Sequence, residues 1–377
     1  MSSPLGNMSL SWGWGPLVGA PNATVAPGGQ GATPCPSCCC SLLNRTLAVA
    51  FMVGLAFAIV VGNVVTLTVF TQTRQSRTPQ GYLKVSLAMA DMMVGVLVVP
   101  FSIYTEISLM VTSAPPPWYQ GGSAPSGRGA AWQPCQLIGP VFAGCTFVSI
   151  STIFLMTVER SVAVLRPLHK DALVTRRRAL LLILLSWAGS FALALAPLAA
   201  GAGLTLEYNE CSRMCNYAPA RSRSRRGPPP GGWVLLLFPV FDFTLLGATL
   251  AGNVLSFGRI RRYTRKRKLL SGTGGAAGGA GGGAGDAQRP SFSDIKAAKT
   301  IGILTFAFAA SFSPIAVFVL GSVVGHTWCK FSFFAFWMLT ASSCCNVVIY
   351  SARDQRFRKG VALLFQRNQP PPPGEKS

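Results

Sequence analysis

The residues best placed to do chemistry are ionisable side chains embedded in apolar sequence: Asp91, Glu106, Asp242 and the adjacent pair Glu159-Arg160. A charge in hydrocarbon is expensive, so an acid or base retained there marks an ion path, a proton relay or a charge switch. Glu159-Arg160 sets opposite charges side by side at the end of an apolar run, with Arg160 25 residues after Cys135. Bond-making chemistry has little to work with. The chain holds 2 histidines, His169 and His326, both between apolar runs and neither accompanied by a nucleophile and base. No enzyme activity is expected. The cluster Cys35, Cys38, Cys39 and Cys40 has no histidine or acid beside it, so disulfides are expected there and no metal site.

These side chains must be carried by membrane-crossing elements. Half of the 377 residues are hydrophobic and 12% are charged, a composition foreign to soluble domains. Apolar runs near 47-71, 82-110, 135-165, 179-200, 232-257, 298-323 and 331-352 are each long enough to cross about 30 Å of hydrocarbon as a helix. Gly62, Pro100, Pro140, Pro197, Pro239 and Pro314 fall inside them, which membrane helices tolerate because neighbours satisfy the freed backbone groups. The expected fold is an all-α membrane protein, a bundle of seven transmembrane helices. Of the 33 Lys and Arg, 25 lie on one side of these spans and 8 on the other. The positive-inside rule then puts the N-terminus outside and the C-terminus in the cytoplasm. The net charge of +22 reads as topology and contact with anionic membrane lipids, and nucleic-acid binding is disfavoured.

The first 40 residues have neither a basic start nor an apolar core, so no cleavable signal peptide is expected. Residues 1-46 are read as an extracellular segment with glycosylation sequons at Asn7, Asn22 and Asn44, the last close to the membrane. Residues 259-297 form a cytoplasmic loop in which a basic stretch is followed by a Gly/Ala linker. In the tail, 353-377, a short amphipathic eighth helix is expected, with Phe357, Val361, Leu364 and Phe365 on one face and Arg356, Arg358 and Lys359 opposite. The loop between spans two and three, and the stretch from Arg221 to Pro230 in the loop between spans four and five, read as long and irregular. Cys145, Cys344 and Cys345 fall within spans and read as small packing residues.

Ordered landmarks run through all seven spans: Gly62-Asn63-Val64-Val65, Ser86-Leu87-Ala88-Met89-Ala90-Asp91, Cys135, Glu159-Arg160-Ser161, Pro167-Leu168, Trp187, Pro197, Pro239, Phe308, Pro314 and Asn346-Val347-Val348-Ile349-Tyr350. Over about 45-367 the chain resembles the rhodopsin-like (class A) G-protein-coupled receptors, and its second span is most similar to biogenic-amine receptors. The resemblance implies a plasma-membrane receptor that relays a signal to a heterotrimeric G protein. In such receptors Arg160 would pair with Glu159 at rest and be freed when span six swings out, with Pro167, Leu168, Asn346 and Tyr350 taking part in coupling. Asp91 with Asn63, Ser149, Ser342, Ser343 and Asn346 would form a polar cluster that holds a sodium ion as allosteric cofactor, or a hydrogen-bonded network without one. A disulfide would clamp the loop between spans four and five to Cys135, through Cys211 or Cys215.

The departures from the family pattern concern the input end. The position of the amine-binding aspartate in span three holds Phe142. Candidate pocket residues are Glu106, Phe142, Cys145, Thr146 and Phe312, a mostly apolar set suited to a lipid-like or neutral ligand, or to none. Phe312 stands where the family carries Trp, Val347 where it carries Pro, and Gly247 where it carries Tyr. The chain then reads as a receptor without an evident ligand. The alternative is a ligand-independent receptor-like protein that modulates a partner receptor, in a receptor dimer. A retinal pump would need a lysine within span seven, and Lys330 lies outside it.

Overall fold

The computed structural model describes residues 41–72, 78–112, 133–165, 174–199, 203–219, 232–272, 292–324, 326 and 328–367. Among these residues the chain forms α1 (Leu42–Gln72), α2 (Pro79–Val111), α3 (Cys135–Leu165) and α4 (Arg176–Ala199). A two-stranded hairpin follows, β1 (Leu204–Asn209) and β2 (Met214–Pro219), and then α5 (Leu237–Gly272), α6 (Phe292–Val323), α7 (Cys329–Arg353) and α8 (Gln355–Arg367). Seven of the helices are long and apolar enough to cross a membrane. The 31 residues of α1 span about 46 Å at 1.5 Å per residue, more than the hydrocarbon core requires. The helices overrun the apolar runs: α5 continues through the basic stretch to Gly272, and α6 begins at Phe292.

Large apolar side chains face outward from the bundle. Phe57, Leu184, Val254, Phe306 and Val348 are exposed, as suits helices solvated by lipid. Inside, α3 is the hub, packed against α2, α4, α5, α6 and both strands. Small residues set some of the closest approaches. A Cβ at Gly62 would come within 2.9 Å of Val347 Cγ2, so glycine there lets α1 lie against α7.

Helix α2 is interrupted by a π-helical turn over Val94–Val98, followed by Pro100. The extra residue in that turn rotates everything beyond it by about 100° relative to an unbroken helix, which re-aims Glu106. At the far end of α7, Asp354 lies between α7 and α8, and its Oδ1 accepts the Phe357 N–H at 3.3 Å. Phe357 is buried against Phe70 and Tyr350, Val361 and Leu364 are partly buried, and Arg358 and Lys359 are exposed, so α8 is amphipathic as its sequence implies.

The hairpin is an element that the sequence reading did not anticipate; the stretch from Arg221 to Pro230, read as irregular, lies outside the described residues. Its strands pair antiparallel from Leu204↔Pro219 to Asn209↔Met214. The alternation Leu-Thr-Leu-Glu-Tyr was the available signal: Leu204 and Leu206 are buried, and Thr205 and Glu207 are less so. The turn itself is closed by Asn209, whose Oδ1 accepts the N–H groups of Cys211 and Ser212 at 2.8 and 3.2 Å.

Candidate functional site

The two ends of the bundle and the polar step between them carry the chemistry. At the hairpin end, β1 lies on α3 where Gly139 leaves room; a Cβ there would sit 2.5 Å from Leu206 Cδ2. Disulfides join Cys135 to Cys215 and Cys211 to Cys329, which decides between the two partners left open for Cys135 and fixes the hairpin tip to the start of α7. The tip enters the bundle. Ser212, Arg213 and Met214 are buried, and Trp337 of α7 donates its indole N–H to the Ser212 carbonyl at 2.9 Å.

Glu106, one of the candidate pocket residues, is fully buried with its oxygens engaged. Arg45 Nη1 lies 3.0 Å and Arg213 Nη1 3.6 Å from Glu106 Oε2, while Tyr208 O–H donates to Oε1 at 2.8 Å. Arg45 also meets Glu210, at 3.1 Å. The physical reason is local: the π turn swings Glu106 inward, and α1 and the hairpin tip bring it two guanidinium groups. Asn44 sits in the first turn of α1, half-buried, with its carbonyl accepting from Arg213 at 3.5 Å. Asn7 and Asn22 lie outside the described residues.

Phe142 and Phe312, two of the candidate pocket residues, pack against other aromatic rings. Phe142 stacks on Phe336 at 6.0 Å, and Phe318 meets Phe336 edge-on at 5.6 Å. Phe312 stacks on Phe308 at 6.0 Å and takes Phe243 edge-on at 5.6 Å. Cys145 is buried, and Thr146 donates to the Phe142 carbonyl at 2.9 Å within its own helix.

The polar step is partly assembled. Asn346 donates to Asp91 Oδ2 at 2.6 Å, and Ser343 also hydrogen-bonds Asp91, so α2 and α7 are joined. Asn63 ties α1 to α7 by donating to the Ser343 carbonyl at 3.1 Å. Ser149 and Ser342 donate instead to carbonyls of their own helices, Cys145 and Leu339. The Asn63 Oδ1 is buried with no hydrogen-bond partner among the described residues, so the group retains oxygens of the kind that a hard cation takes. In α5, Asp242 is buried, and its Oδ1 likewise has no hydrogen-bond partner among the described residues.

At the opposite end Arg160 Nε lies 2.8 Å from Glu159 Oε2, both side chains being largely buried, and Arg160 also hydrogen-bonds Gln80 of α2. Ser161, where the family carries tyrosine, reaches α5 by sharing a hydrogen bond with Ser256 at 3.1 Å. Asn253 of α5 donates to Thr305 of α6 at 3.1 Å. Lys84 forms an ion pair with Asp354, and its ammonium lies 4.9 Å from the Phe70 ring and 5.0 Å from the Tyr350 ring. The sequence alone does not reveal that pair, because the partners lie 270 residues apart. Pro167 and Leu168 lie outside the described residues.

Comparison with known proteins bears on this arrangement. The family model for the 7 transmembrane receptor (rhodopsin family) matches residues 62–350. The chain is 25% identical over 82% of its length to the GQ-coupled rhodopsin of Mizuhopecten yessoensis, of which it spans 56%. It is 26% identical to trace amine-associated receptor 9 of Mus musculus over 82% of its own length and 81% of the relative's. It is 27% identical to trace amine-associated receptor 13c of Danio rerio, with 85% and 86% covered. The members of this family are receptors and not enzymes. With the family's pattern matched from Gly62 to Tyr350 on a bundle of seven membrane-length helices, the chain belongs to the rhodopsin family of seven-transmembrane receptors, the class A G-protein-coupled receptors.

Proposed function

We propose that the protein is a plasma-membrane receptor, hairpin end outside and Arg160 end in the cytoplasm, that signals to heterotrimeric G proteins without an amine ligand. The observation that carries this reading is the buried Glu159-Arg160 pair at 2.8 Å, an ion pair whose exchange for another partner is a ready-made two-state element. Three things favour a low dependence on added ligand. Phe142 replaces the amine-binding acid, its ring stacks on Phe336 across the bundle, and the hairpin tip is buried above it. A ligand, where one binds, is lipid-like or neutral, since Phe142 and Phe312 pack against other aromatic rings. Asp91 with Asn63, Ser343 and Asn346 is the candidate sodium group; the ion's contribution would be to hold α2 and α7 in the resting arrangement.

The test is expression in cells with cyclic AMP and calcium readouts and no added ligand, comparing the chain with Arg160→Ala. Basal signalling that disappears in the variant at equal surface level supports the receptor reading and names the pathway. Equal signals at equal surface level favour the second reading, a receptor-like protein that modulates a partner receptor in a dimer. Replacing external sodium by choline should raise basal signalling in the unmodified chain and leave Asp91→Asn unchanged.

A further inference from the structure

We propose that the hairpin tip and α2 form a guanidinium-binding site occupied by the chain's own Arg213, and that a small guanidinium compound binds there once that side chain is removed. The site lies between Glu106 of α2, Tyr208 of β1 and Phe333 of α7. Its anion is the buried Glu106 carboxylate, with Arg213 Nη1 at 3.6 Å from Oε2. Its aromatic wall is Phe333, whose ring centroid is 5.5 Å from the Arg213 guanidinium carbon. An acid paired with a ring face is a recognition set for a planar or ammonium cation. The Tyr208 hydroxyl holds the other carboxylate oxygen at 2.8 Å and so aims the acid.

Charge balance singles out Arg213 as the occupant. Two arginines and two acids meet here, and Arg45 reaches both Glu106 at 3.0 Å and Glu210 at 3.1 Å. Arg45 is thus shared between the two acids, and Glu106 is shared between the two arginines. Removing Arg213 leaves Arg45 alone against Glu106 and Glu210, and a space shaped by a guanidinium beside the buried Glu106 carboxylate. The backbone points the same way. Arg213 has φ of 56°, the one positive φ at a non-glycine residue among those described. A side chain with a Cβ is disfavoured in that region, so its retention there fits a residue held by what its far end contacts.

That φ also supplies the variant. Arg213→Gly removes the guanidinium while keeping a residue at ease with the turn. The experiment measures thermal unfolding of the purified full-length chain in detergent, with and without methylguanidine at low millimolar concentration. Arg213→Gly is expected to unfold at a lower temperature and to regain roughly 2–4 °C with methylguanidine, saturably. N-methylurea, neutral and similar in shape, should give no such shift. The unmodified chain, its site filled, should not respond, and neither should Arg213→Gly combined with Glu106→Gln. A flat response in Arg213→Gly, or an equal response in the unmodified chain or the double variant, overturns the proposal. If Arg213→Gly does not reach the cell surface, methylguanidine in the medium must restore its surface level, and failure to do so counts equally against the site. Signalling plays no part in these readouts, so they stand or fall apart from G-protein coupling.

Discussion

The hairpin end and the Arg160 end use their charged side chains differently. At the hairpin end the charges are locked together: two disulfides, a buried carboxylate between two guanidiniums, and an indole on the tip carbonyl converge on a few residues. At the Arg160 end the ties are non-covalent and polar. Glu159 with Arg160, Arg160 with Gln80, Lys84 with Asp354, Ser161 with Ser256 and Asn253 with Thr305 join the helices there, and among the described residues no disulfide does. The difference teaches a division of labour: one end is over-determined and holds the fold, while the other is held by exchangeable contacts of the sort that a two-state switch needs.

The largest effect should come from opening the hairpin clamp. Cys135→Ser is expected to remove most surface expression, in line with about 2–5 kcal/mol for a native disulfide, as read by surface immunolabelling. Glu106→Gln comes next, since it leaves two buried arginines sharing one acid; a loss of about 3 kcal/mol should appear as a lowered unfolding temperature. The division of labour breaks if Glu106→Gln keeps full stability and instead raises signalling. Lys84→Met probes the other end. It should leave surface level nearly intact and raise basal signalling roughly five-fold, the equivalent of about 1 kcal/mol off the resting state, in the same cyclic AMP or calcium readout. A large stability loss with no signalling change would put Lys84 with the scaffold.

The smallest effect sharpens the edge of the clamp. Tyr217 of β2 donates to the Ala194 carbonyl of α4 at 2.6 Å, and burial pushes its phenol above the ordinary value near 10. A buried phenol favours the neutral form, so its contribution is complete below pH 10 and is lost as pH climbs past that. Tyr217→Phe should cost about 1 kcal/mol at pH 8, and its unfolding temperature should fall less than that of the unmodified chain between pH 9 and 11.

The reach of the sequence follows from the range of the contacts. The spans and α8 were legible because hydrophobicity and amphipathic spacing are local. Glu159-Arg160 was legible because the partners are adjacent. Asp91 and Asn346 lie 255 residues apart and were paired only through the family pattern. Where that pattern said nothing, the contact was missed: Arg45 to Glu106 spans 61 residues and Arg45 to Glu210 spans 165. The hairpin was missed for a different reason. Its turn carries no glycine or proline, and its left-handed residue is an arginine, so the usual punctuation was absent and only the strand alternation and Asn209 marked it.

The Cys211–Cys329 bridge also imposes a timetable on synthesis. Cys329 leaves the ribosome 118 residues after Cys211, a delay on the order of ten seconds at ordinary elongation rates. Throughout that interval Cys211 and Cys215 are both candidate partners for Cys135. A premature Cys135–Cys211 bond would strand Cys329 and has to be exchanged before the last helix can be tied down. Scarcity of a thiol–disulfide isomerase is therefore expected to slow maturation of the chain, read as a delayed arrival at the cell surface.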